Sequence, residues 1–123
     1  MADKLIVEMK LRFRGNSMRL RVNQKELEKL VTGQELIEKV DFGTTSLVYS
    51  LRASANTRVT AEFDGKRIHV SAPLRGWARG DEIGFYFVVE AGLKVAIEKD
   101  LECLDGPEEE KDPDAFPRSM KAC

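Results

Sequence analysis

The sequence predicts a mainly-β α+β domain: an antiparallel sheet, a pair of sheets or a small barrel of about 7–8 hairpin-connected strands, with one or two short helices. Three observations carry this. Apolar residues alternate along the opening stretch, Gly-Asn and Asp-Gly pairs punctuate the alternation, and only two short segments have helical start signals. A chain of 123 residues is one domain's worth of material. With 42% hydrophobic and 33% charged residues it is neither a disordered chain nor a membrane protein. The start Met-Ala-Asp-Lys lacks the features of a secretory signal, and the expected location is cytoplasmic, with no membrane partner.

The first strand carries Leu5, Val7, Met9, Leu11 and Phe13 on one face and Glu8, Lys10, Arg12 and Arg14 on the other. With Gly15-Asn16 as a two-residue loop, Phe13 faces Met18, Leu11 faces Leu20 and Met9 faces Val22, so each apolar residue meets an apolar partner. Asn23 followed by Glu26 has the spacing of a capping box and opens a helix carrying Leu27, Leu30 and Val31, which Gly33 ends. Residues 35–42 and Ser46–Ala53 form two more strands. Asp64-Gly65, read as a type I′ loop, sets Val59 opposite Val70 and Ala61 opposite Ile68. Pro73 starts a helical turn through Trp77. The run from Ile83 to Val89 is apolar on both faces, which predicts a central strand, and Leu93–Ile97 follow as the last. Leu11, Phe13, Leu20, Leu47, Val59, Ile68, Val88 and Ile97 are the expected core. The globular domain is expected over residues 1–104, with 105–123 an acidic flexible C-terminal tail, and no internal repeat is visible.

The run from Lys10, K-L-R-F-R-G-N-S-M-R-L-R, together with Phe63-Asp-Gly and the late E-K-D-L-E-C-L, resembles a small bacterial domain family that is functionally uncharacterised. The resemblance implies a compact bacterial domain and carries over no catalytic or binding residue.

Charge is balanced overall at −1 but not along the chain. Residues 1–30 hold eight Lys/Arg against four acids, and Glu98–Asp114 hold nine acids against two lysines. The hairpin register sets Arg12 opposite Arg19 and Lys10 opposite Arg21, like charges that destabilise a strand pair unless an anion relieves them. Lys10, Arg12, Arg19 and Arg21 are therefore the candidate anion-binding residues. The relieving groups could equally be acids on a neighbouring strand or the chain's own acidic tail. A pI near 5.9 and the lack of an RNP-like aromatic motif disfavour nucleic acid.

No catalytic constellation is present. The serines have no Gly-x-Ser-x-Gly setting, His69 reads as an exposed surface residue, and the acidic surroundings of Cys103 argue against an activated thiol. Cys103, Cys123 and His69 have no zinc spacing, so neither metal nor cofactor is expected. These features favour a non-enzymatic binding or interaction module whose partner is a small anion or a protein, with a homodimer left open by its edge strands. The alternative is a phosphohydrolase-like small barrel acting on a phosphorylated or polyphosphate substrate. Glu8-Met9-Lys10 resembles the Glu-x-Glu-x-Lys strand of triphosphate-tunnel enzymes, although Ile6 replaces the first glutamate.

Overall fold

The computed structural model describes residues 9–100. Eight strands and two helices follow in the order β1 (Lys10–Arg14), β2 (Ser17–Val22), α1 (Gln24–Val31), β3 (Leu36–Asp41), β4 (Ser46–Ala53), β5 (Thr60–Phe63), β6 (Arg67–Ala72), α2 (Arg75–Arg79), β7 (Gly84–Val88) and β8 (Lys94–Lys99). The strands form two four-stranded sheets, A in the order β1-β2-β8-β7 and B in the order β3-β4-β6-β5, and neither closes into a barrel. Every hairpin is antiparallel, as expected. The two central pairs, β2 with β8 and β4 with β6, are parallel, so the sheets are mixed. The boundary at 104, the acidic tail, Glu8 and both cysteines lie outside the described residues.

Local chemistry accounts for the individual elements. Gly15 takes a φ of 56° at the first loop position of the β1–β2 hairpin, and Phe13 pairs with Met18 and Leu11 with Leu20 as the alternation requires. The capping box of α1 is complete: the Glu26 N–H donates to Asn23 Oδ1 at 2.9 Å, and the Asn23 N–H donates to Glu26 Oε1 at 2.9 Å. Two strand features differ from expectation. In the β5–β6 hairpin the loop is Gly65-Lys66, which pairs Ala61 with Val70 and Phe63 with Ile68, two residues away from the expected register. Asp64 causes this by accepting the Lys66 and Arg67 N–H groups on Oδ1 at 2.9 and 2.8 Å, so it flanks the loop instead of joining it. The all-apolar β7 is an edge strand of sheet A, not a central one.

The order of elements contains a repeat that the sequence hides. The chain is two β-hairpin–helix–β-hairpin units, β1–β2–α1–β3–β4 and β5–β6–α2–β7–β8. Each sheet takes the first hairpin of one unit and the second hairpin of the other, and the two parallel pairs become equivalent when the units are exchanged, a topological twofold. The pairing registers map Phe13, Gly15, Met18, Leu20 and Val22 onto Phe63, Gly65, Ile68, Val70 and Ala72. They also map Tyr49 and Leu51 onto Val95 and Ile97. The expectation of no internal repeat is thus corrected. The units share few identical residues because what each position requires is an apolar side chain of suitable size or a turn glycine, not a particular amino acid.

The sheets pack face to face. Met18, Leu20, Val22, Val95 and Ile97 of A meet Tyr49, Leu51, Ala53, Ile68, Val70 and Ala72 of B in one core, closed at one end by Leu30 of α1 and Trp77 of α2. All four hairpin turns lie at the opposite end. Of the expected core, Leu20, Ile68 and Ile97 are buried, and Leu11, Leu47 and Val59 are half-buried. Phe13 and Val88 are exposed, at 56% and 60%: Phe13 sits beside the turns where the two sheets no longer cover each other, and Val88, opposite Lys94, lies on the outer face of sheet A. No described helix is long and apolar enough to cross a membrane.

Candidate anion-binding face

The outer face of sheet A is a grid of three rows across four strands. Nearest the turns run Arg14, Ser17, Lys94 and Val88; next come Arg12, Arg19, Ala96 and Tyr86; farthest are Lys10, Arg21, Glu98 and Gly84. Strand alternation puts Lys10, Arg12 and Arg14 on this side together, and Arg19 and Arg21 follow from the hairpin register. All four residues read from the sequence, Lys10, Arg12, Arg19 and Arg21, share this face, but they do not share an electrostatic environment.

Glu98 and Asp100 neutralise the helix end of the grid. Glu98 Oε1 lies 3.3 Å from Arg21 Nε and 3.5 Å from Arg19 Nε, and Lys10 Nζ lies 2.9 Å from Asp100 Oδ2. The Tyr86 hydroxyl donates to Glu98 Oε2 at 3.2 Å. That contact depends on Gly84, whose missing side chain leaves the space in which the Tyr86 ring lies; a Cβ there would collide with the Tyr86 hydroxyl. Burial and the neighbouring Glu98 charge raise the Tyr86 phenol above its usual pKa, which keeps it a hydrogen-bond donor.

The turn end has no such neutralisation. Arg12, Arg14 and Lys94 have no acidic partner among the described residues. With Arg19 and Tyr86 they surround a concavity of about 430 Å³, whose rim includes Ser17 and Ala96 and whose lining contains no acid. The acid-free part of this face is one row nearer the turns than the four residues read from the sequence: it includes Arg14 and Lys94 and leaves out Lys10 and Arg21. Arg14 was legible, since it alternates with Arg12. Lys94 was not, because it arrives through a parallel pairing with Ser17 across 77 residues of chain.

The equivalent face of sheet B is different. The twofold carries Arg12 to Glu62, Arg14 to Asp64, Arg19 to His69, Lys94 to Val48 and Glu98 to Arg52. Here His69 is not the partnerless surface residue expected. Its Nδ1 lies 2.7 Å from Ser50 Oγ and 3.4 Å from Glu35 Oε2. Both groups meet the same ring nitrogen and Ser50 is fully buried, so the trio does not have the relay geometry of a nucleophile, base and orienting acid. Two framework-related faces, built on the same backbone, thus differ in charge at the positions that line the concavity.

A family model matches residues 9–120 of the chain, described as a family of unknown function, DUF7009. The chain belongs to that family. No curated protein matches the sequence. The match agrees with the resemblance to an uncharacterised domain family, and within it the described residues 9–100 make up the two-unit sandwich.

Proposed function

We propose that this protein is a non-enzymatic binding module of the bacterial cytoplasm, and that it takes an anionic ligand on the outer face of sheet A, with Arg12, Arg14, Arg19 and Lys94 as its contacts. The observation that carries the reading is the acid-free concavity at the turn end, where three of these cations have no acidic partner among the described residues. Guanidinium forks at Arg12, Arg14 and Arg19 suit phosphate or carboxylate oxygens, and Lys94 adds a mobile point charge. Loss of the same charges from the equivalent positions of sheet B supports a role specific to sheet A. The bacterial setting rests on the resemblance of the opening motif. The phosphohydrolase-like alternative requires a closed barrel with its basic residues in the lumen, whereas these stand on the outside of an open sheet.

Calorimetric titration with a short-chain polyphosphate at low salt tests the site. Arg12→Ala, Arg14→Ala and Lys94→Ala should each weaken binding severalfold and flatten its salt dependence, while Lys10→Ala, already paired with Asp100, should change it little. Equal effects from all four substitutions, or no binding by the unsubstituted protein, would remove the proposal.

A further inference from the structure

At the turn end of the sandwich, a second concavity of about 380 Å³ opens between the sheets. Phe13 and Phe63, Met18 and Ile68, and Leu47 and Leu93 line it as three twofold-related pairs, with Ala61 and Glu62 at the edge. Phe13 and Phe63 are 56% and 64% exposed, an unusual position for two phenylalanines flanking one groove. It adjoins the basic concavity across the β1–β2 tip, where Met18 contributes to both linings.

We propose that this groove seats the chain's own C-terminal segment, with Phe116 inserted between Phe13 and Phe63. Three facts single out this occupant. The family match continues to residue 120, so the stretch after Asp100 belongs to the family's common unit. Its length and order of residues also fit the path. Asp100 lies at the helix end, where its N–H donates to Val22 O, and the way back along β8 is about 20 Å at roughly 3.3 Å per residue. Sixteen residues separate Asp100 from Phe116, an extended reach of about 50 Å. Charge completes the fit: the acidic run Asp105–Asp114 would cross the grid beside Arg12, Arg14, Arg19 and Lys94 just before Ala115-Phe116-Pro117 arrives at the groove. Leu5, Ile6 and Val7 are excluded by reach. Leu5 is only four residues from Met9, and Phe13 is four residues from Met9 on the other side, which leaves no chain for the reversal. The inference rests on the basic face only for the path of the acidic run.

The test uses the full chain with Cys103→Ser and Cys123→Ser, a spin label on Arg118→Cys, and methyl-labelled Leu, Ile and Met. The label should reduce the Leu47, Ile68, Leu93 and Met18 methyl signals at least twofold while sparing Leu30 at the helix end, and Phe116→Ser should restore them. Unattenuated groove methyls would overturn the proposal. So would equal attenuation in methyl-labelled chains that carry no spin label, mixed with spin-labelled chains, since the groove would then hold a second copy's segment. Neither readout uses an added anion, so failure of polyphosphate binding leaves this measurement interpretable. If both readings hold, Phe116→Ser should also tighten polyphosphate binding, by releasing the acidic run that competes for the same cations.

Discussion

Glu26 shows how one side chain serves a local and a global role at once. It completes the α1 capping box, yet it is buried. Burial is the chief cause that raises its carboxyl above the ordinary value near 4.5, with Glu38 adding to the effect and the Asn23 N–H opposing it. A carboxyl with a raised folded-state pKa holds its proton more tightly when folded. Its favourable contribution is therefore complete below the unfolded value and is lost as pH rises through the folded one. Glu26→Gln keeps an oxygen to accept the Asn23 N–H and removes the buried charge. It should melt at or above the parent temperature at pH 7 and lose any advantage below about pH 4.5. Glu26→Ala should cost about 1 kcal/mol at either pH through loss of the cap. Thermal melts of the three proteins across pH 4–8 check both statements, and a Gln variant much less stable than the parent at pH 7 would show that the ionised carboxylate is the form the cap needs.

The hairpins and helices were legible because each is specified within about a dozen residues. Gly15-Asn16 between two alternating runs set the β1–β2 register, and Asn23 with Glu26 set the start of α1. Where reading failed, a competing local interaction or a distant partner decided the outcome. Asp64 moved the second loop by accepting two backbone N–H groups, the same bonds that hold its carboxyl below the usual range. Apolar residues on both faces of β7 suggested a central strand, but Phe85 and Phe87 face the core while Tyr86, lying over Gly84, and Val88, opposite Lys94, are on the outer face. Two contrasts test these assignments. Leu20→Ala, at a fully enclosed position, should cost on the order of 2–5 kcal/mol, whereas Phe13→Ala should cost much less despite its larger side chain. Gly65→Ala should lose about 1 kcal/mol or more from its φ of 102°, and Gly76→Ala, with open space around it and a helical setting, should not. Denaturant unfolding of the four variants gives the comparison, and equal losses for Leu20 and Phe13 would contradict the placement of the sheet ends.

At the scale of the molecule, neither unit owns a sheet. The parallel pairs join β2 to β8 and β4 to β6, so each sheet, and the one core between them, is built from both units. No local pattern could reveal this, since alternation says which face a residue takes but not which strand lies beside it. Fragments cut in the loop between β4 and β5, residues 1–56 and 57–123, should each lack β-sheet circular dichroism as monomers and recover it when mixed in equal amounts. A monomeric fragment that folds alone would contradict the exchanged arrangement. The same exchange dictates an order of events on the ribosome. Sheet B has all its strands once Ala72 has been made, but β1 and β2 must wait for β8, and Ser17 meets Lys94 only near the end of synthesis. A lone two-stranded hairpin is marginal in water, and contacts so distant in sequence close slowly. A nascent chain halted between Ala72 and Lys94 would thus carry one finished sheet and one unfinished hairpin, with Met18, Leu20 and Val22 open to association with other chains.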